Sequence, residues 1–226
     1  MADRRKRRNR DRNDSVLVVG LGRFGTAIAT ALDKLGQDVL VVERDPDIIN
    51  TWSGRLDLVQ ADATNSDALE QLGAADFEVA VVGIGGSLEQ SVLATSNLAD
   101  LGVKQIWAKA ISEKHGIILE RIGAHHVIYP EWESGSRVAH LLSGKLLDYI
   151  DVEDGFTIVK IRPPVEIQGF TLAELNLRQR FGITIIGVKS PGKEFVYATQ
   201  HTVVAAEDII VCSGHADKLE DFAALA

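Results

Sequence analysis

From Ser15 onward, short runs of Val, Ile, Leu and Ala alternate with amphipathic stretches. The runs at 16–19, 39–43, 56–60, 79–82, 106–110 and 126–129 are of strand length, and their continuous apolar character marks strands covered on both faces. The segments between them, 26–35, 48–53, 67–72, 88–101 and 113–122, read as helices. Repeated strand, helix, strand succession closes as right-handed parallel crossovers, so the pattern predicts a doubly wound parallel α/β sheet. The punctuation agrees. Gly36 and Gly102 stand where helices should stop, and Asp45-Pro46, Asn65 and Ser112 stand where helices should start.

After Pro130 the pattern changes. Trp132, Val138, Leu141, Leu142, Leu146, Tyr149 and Ile150 form an apolar stripe close to helical spacing, which predicts a connecting amphipathic helix over 132–150. Beyond it, apolar segments at 156–161, 172–177, 183–188, 194–197 and 209–212 and a final helix at 217–223 predict a small α+β domain. The chain thus divides into a tail at 1–14, a first domain at 15–131, the connecting helix and a second domain at 151–226. Roughly 75 residues suffice for an independent module but are few for a catalytic domain that must build a substrate cleft.

Charge separates the tail from the rest. The net charge is -8, yet residues 1–14 hold seven Lys or Arg against three Asp. The tail, with Arg4-Arg5-Lys6-Arg7-Arg8, is of a kind that can bind nucleic acid or an anionic membrane surface, but it reads better as a disordered, solvated arm, because no aromatic residues interleave its charges to stack on bases. The strongly acidic remainder argues against broad nucleic-acid contact. The single cysteine, Cys212, reads as core and requires no oxidising compartment. No apolar run approaches the ~20 residues of a membrane-spanning helix, which predicts a soluble protein.

The chemistry concentrates at the first strand end, where Val-Leu-Val-Val runs into Gly20-Leu21-Gly22-Arg23-Phe24-Gly25. Gly20 suits the tight turn, Gly22 a close backbone approach to phosphate, and Gly25 close packing of the following helix, whose N-terminus favours anions. An acid, Glu43, closes the second strand 23 residues after Gly20. There it can accept hydrogen bonds from ribose hydroxyls and repel a 2′-phosphate, although Arg44 beside it is a residue type that serves such a phosphate. Together these features make the first domain a Rossmann-like nucleotide-binding domain. Asp62-Ala63-Thr64, after the third strand, can border an adenine ring or cap the next helix. Arg23 places a guanidinium in the glycine loop, which suits a triphosphate better than a dinucleotide pyrophosphate. Lys109, at the fifth strand end, falls near the same crevice, and Phe24 and Gly85 complete the set of candidate contacts.

Catalytic motifs are sparse: the six His residues lack metal-ligand spacing, and neither a GxSxG elbow nor a P-loop is present. Two other classes share part of these features. An NAD(H)-dependent oxidoreductase would use the same glycine loop and Glu43, and a redox-sensing DNA-binding regulator would use the basic tail.

Val-Val-Gly-Leu-Gly-Arg-Phe-Gly, Val42-Glu43-Arg44-Asp45, Ala61-Asp62-Ala63-Thr64, Ile106-Trp107-Ala108-Lys109 and Ile128-Tyr129-Pro130-Glu131, in this order, resemble the RCK (KTN) regulatory subunits of bacterial Ktr and Trk potassium-uptake systems. The second domain resembles that family's C-terminal RCK domain, most clearly at Leu175-Asn176-Leu177-Arg178 and Phe181-Gly182-Ile183. The resemblance implies binding of ATP or ADP, in some members NAD or NADH, and assembly of a homo-oligomeric, octameric ring beneath a membrane potassium-channel subunit. It places the arginine that reaches the ATP terminal phosphate on Arg23. The strand-two acid, usually Asp, falls on Glu43, and a carboxylate that can hold a cation between subunits falls on Glu131. Many relatives bind cyclic di-AMP in the C-terminal domain, with contacts that fall on Arg178 and Ile183. Here Ala198-Thr199-Gln200-His201 replaces the proline-containing segment of those relatives, which counts against second-messenger binding.

Overall fold

The computed structural model describes residues 15–142 and 145–225; the basic tail at 1–14 lies outside the described residues. The chain separates into two compact units at Glu131 and Trp132. Among the described residues no helix is long and apolar enough to cross a membrane.

In the first unit the apolar runs become six parallel strands: β1 (Ser15–Val19), β2 (Asp38–Glu43), β3 (Asp57–Gln60), β4 (Val79–Val82), β5 (Gln105–Lys109) and β6 (His126–Ile128). Their order is β3-β2-β1-β4-β5-β6. The crossovers are α1 (Arg23–Lys34), α2 (Pro46–Trp52), α3 (Ser66–Leu72), α4 (Leu88–Asp100) and α5 (Glu113–Arg121). Alternate side chains of β1 enter different cores, which is why its apolar run is unbroken. Leu17 and Val19 pack with Val42, Leu69, Leu98, Ile106 and Leu119, while Val18 packs with Ala29, Val41 and Val81. Truncating a fully buried member such as Leu98 to Ala would cost about 2–5 kcal/mol.

The helix boundaries follow local chemistry. Asp45 and Asn65 accept from the backbone N–H of Asp47 and Asp67, each at 2.9 Å, and Ser112 accepts from His115 N at 3.2 Å. Each satisfies a donor that the first helical turn leaves without a partner. Gly36 and Gly102 take φ of +83° and +80° just beyond α1 and α4. Because the connection from β1 runs to β2 on one side and the connection from β3 crosses back to β4 on the other, a crevice opens at the carboxyl ends of these strands, the topological switch point of the sheet.

The boundary falls within the first turn of α6 (Pro130–Leu142), and the second unit holds an antiparallel sheet of β7 (Asp148–Glu153), β8 (Phe156–Ile161), β9 (Thr184–Lys189), β10 (Val196–Tyr197) and β11 (Ile209–His215). The short helices α7 (Leu172–Leu175) and α8 (Leu177–Phe181), with α9 (Ala216–Ala223), complete it. Its core gathers Val159, Ile161, Ile183, Ile210, Cys212, Leu219 and Phe222. A capping box starts α7: Thr171 Oγ1 accepts from Glu174 N at 3.4 Å, and Glu174 Oε2 accepts from Thr171 N at 2.8 Å.

The expected connecting helix over 132–150 is corrected here. The helix is described as Pro130–Leu142, residues 145–147 lie outside any helix, and Tyr149 and Ile150 belong to β7, opposite Val159 and Ile158 of β8. The physical reason is the hairpin that follows, where Asp154 and Gly155 form a two-residue turn with φ of +52° and +74°. Asp-Gly between extended segments favours this geometry and pulls the preceding residues into a strand. The spacing of Leu146, Tyr149 and Ile150 had fitted a helical stripe equally well.

Candidate functional site

A cavity of about 330 Å³ occupies the switch point. Gly20, at φ +88°, makes the turn out of β1, and its N–H donates to Val42 O at 2.8 Å. Gly25 then seats α1 against that turn, because a Cβ there would be driven into the Gly20 carbonyl oxygen. The N-cap of α1 is Gly22, with no side-chain cap and no acid in the first turn. Its N-terminal backbone donors and positive dipole end are therefore left for an anion at the crevice.

Glu43 forms one wall and is buried. Oε2 accepts from Leu21 N at 2.6 Å, and Oε1 accepts from Arg44 N at 2.8 Å and Asp45 N at 2.9 Å. The carboxylate expected to meet both ribose hydroxyls thus already ties the glycine loop to the loop after β2. Asp62 folds into a turn of its own, accepting from Thr64 N at 2.9 Å and Thr64 Oγ1 at 2.8 Å. The Thr64 backbone bond, then its hydroxyl, hold the Asp62 carboxyl below the usual carboxylate range, and the charge of Arg44 adds to the effect. The capping of α3 falls to Asn65 rather than Asp62. Gly20, Gly22, Glu43, Arg44, Asp62, Ala63, Thr64 and Gly85 all line the cavity.

Other expected residues gather beside the cavity rather than in its wall. The Lys109 side chain is largely buried, and its Nζ donates to Glu131 Oε1 at 2.5 Å and lies 5.9 Å from the centre of the Phe24 ring. Lys109, and more weakly Arg23, hold the Glu131 carboxyl below its ordinary range. Gly85 joins the two groups, since a Cβ there would lie 3.0 Å from Lys109 Nζ. Among the described residues, no three His, Cys, Asp or Glu side chains come together as metal donors.

Sequence reasoning missed Ser87 and Gln90, which also line the cavity. Ser87 caps α4 through Gln90 N, at 3.3 Å. The Gly83-Ile84-Gly85-Gly86-Ser87 segment that follows β4 was a legible sign of a second turn at the crevice. The Gln90 side-chain oxygen, in the amide orientation that satisfies both groups, accepts from Arg44 Nη1 at 2.6 Å and Nη2 at 3.2 Å.

Family models match in two adjoining parts: the TrkA-N domain over residues 16–130 and the TrkA-C domain over residues 143–226. The chain belongs to the TrkA-N/TrkA-C family. It is 33% identical over 215 residues to the Ktr system potassium uptake protein A of Bacillus subtilis, covering 94% of this chain and 97% of the relative. It is 34% identical over 208 residues to the Ktr system potassium uptake protein C of the same organism, covering 91% and 94%. Among solved structures, the GsuK RCK domain superposes with a TM-score of 0.66 at 20% identity, covering 99% of this chain and 51% of that one. The chain thus spans about half the length of that structural neighbour. The TrkA-N domain carries the crevice described above.

The TrkA-C domain carries a separate cavity of about 470 Å³ that brings Arg178 and Ile183 together with Asn176, Thr184, Thr199 and Gln200. Arg178 Nε donates to Thr184 Oγ1 at 2.8 Å.

Proposed function

We propose that this chain is the nucleotide-binding regulatory subunit of a bacterial potassium-uptake system, acting by binding and not by catalysis. The observation that carries the reading is the cavity at the switch point. It is walled by the glycine turn and by the loops after β2, β3 and β4, and it lies beside the uncapped N-terminus of a twelve-residue helix. The relatives named Ktr potassium uptake proteins support the transport role. Solved structures titled as GsuK bound to NAD and to ADP share the fold and support a nucleotide. ATP or ADP is the proposed ligand, with NAD or NADH as the alternative occupant. The chain assembles with copies of itself into an octameric ring at the cytoplasmic face of a membrane potassium-channel subunit. A cation at Glu131 would need further ligands from a second copy.

Both adenine nucleotides occupy the crevice, but only a triphosphate reaches Arg23 in the first turn of α1. A charge-assisted hydrogen bond is worth about 1.5–3 kcal/mol, roughly a 10- to 150-fold difference in affinity. If Arg23 makes that bond in only one ring state, ATP shifts the balance of states by that factor, and ADP does not. Calorimetric titration of ATP, ADP, NADH and cyclic di-AMP into the purified protein, with its mass measured in solution, tests the reading. ATP should bind, and Arg23→Ala should weaken ATP by about 10- to 100-fold while leaving ADP nearly unchanged. Absence of adenine-nucleotide binding would sink the reading.

A further inference from the structure

Arg44 lies in the loop after β2 and Gln90 in the first turn of α4, which follows β4; β2 and β4 flank β1 on opposite sides in the sheet. The bond between their side chains therefore crosses the carboxyl end of β1, where the glycine loop begins, and both residues line the cavity. Arg44 is exposed, yet its guanidinium is fixed at both Nη atoms by one neutral acceptor. Asp62 opposes it electrostatically from the loop after β3. A guanidinium held edge-on in this way keeps its flat face available, and a planar cation over an aromatic π-face is attractive where water is partly excluded. The acceptor matters to the assignment. Gln90 engages the end-on fork formed by the two Nη groups, leaving Nε–H and one outer N–H on each Nη as the remaining donors.

From this placement we infer that Arg44, positioned by Gln90, is a base clamp: its guanidinium face covers the purine ring of the nucleotide and contributes to affinity for the adenine, independently of phosphate number. The inference rests on the proposed nucleotide site and assigns the base subsite within it. It also separates two arginines by role, Arg44 for the base and Arg23 for the terminal phosphate.

The test is a titration of ATP, ADP, AMP and NADPH into wild-type protein and into Arg44→Ala, Arg44→Lys and Gln90→Leu, with thermal melting to verify that each variant folds. Arg44→Ala should weaken ATP, ADP and AMP by a common factor of about 3- to 30-fold. Arg44→Lys should recover little of that loss, because an ammonium has no flat face. Gln90→Leu should weaken all three in parallel by a smaller factor. A loss that grows from AMP to ATP would make Arg44 a phosphate contact, and a loss confined to NADPH would make it a 2′-phosphate contact; either overturns the clamp. Unchanged affinities in a wild-type-like fold overturn it while leaving the nucleotide site standing. Wild-type protein that binds none of the four overturns both.

Discussion

Replacing Glu43 with Gln separates a joint of the fold from a ligand contact. The side chain is 8% exposed, and its oxygens take three backbone N–H groups, from Leu21, Arg44 and Asp45. Gln keeps the length but offers one acceptor oxygen. If that oxygen serves Arg44 and Asp45, two bonds survive in weaker, neutral form, and the NH₂ group faces the Leu21 N–H as donor against donor. Losing one charge-assisted bond costs about 1.5–3 kcal/mol and weakening two others adds roughly 1, for a total of about 3 kcal/mol. For a unit of roughly 115 residues, 1 kcal/mol moves the melting temperature by about 4 °C, so the transition should fall by about 12 °C. Thermal unfolding followed by circular dichroism in the absence of nucleotide is the assay, and Glu43→Asp, too short to reach Leu21, should fall about half as far. A variant that melts within 2 °C of wild type while losing its nucleotide would refute the reasoning, because the carboxylate would then serve the ligand and not the two loops.

Gly25→Ala should destabilise the first unit by about 1–3 kcal/mol and weaken nucleotide binding at least tenfold, since its Cβ forces α1 away from the Gly20 carbonyl. Gly36→Ala is the control: φ is +83° but nothing lies within 4 Å, so only about 1 kcal/mol of backbone strain is expected in urea unfolding. His115 is buried on α5, its Nδ1 accepts from Ile111 N at 3.3 Å, its Nε2 has no partner, and burial pushes the imidazole below its ordinary value. The unfolded chain therefore takes up a proton that the folded chain refuses. This contribution to stability is full above about pH 6.5 and is lost as pH falls toward the folded value. The urea midpoint should drop between pH 7.5 and 5.5, and His115→Leu should flatten that slope; an unchanged slope would exclude His115 as its source. The Cys212 thiol is fully buried, and burial pushes it up to about 12. It should resist a thiol reagent at pH 8 until urea unfolds the second unit, and rapid native labelling would contradict its burial.

What could be read from residue order was decided locally. Strands buried on both faces leave an unbroken apolar signature, and caps such as Asn65 and Ser112 act within three residues, so the parallel sheet and its crevice were legible from spacing alone. β7 was not, because Tyr149 and Ile150 satisfy a helical stripe and a strand alternation equally, and only Asp154-Gly155 breaks the tie. The glycine loop, Glu43 and the Asp62 turn announced a nucleotide crevice, but not which way their side chains point. That direction is set by backbone donors whose need for an acceptor depends on the folded turn. Leu21 presents its N–H only once Gly20 has turned, and the longer Glu side chain then reaches back to meet it. Arg44 and Gln90 lie far apart in the chain and meet only because β1 separates the strands that precede them. With Glu43 drawn inward as a joint, the side chain next to it, Arg44, stays exposed at the cavity wall. The sequence motif therefore points to the crevice, and the competition for backbone donors decides which of its side chains are drawn inward and which stay exposed.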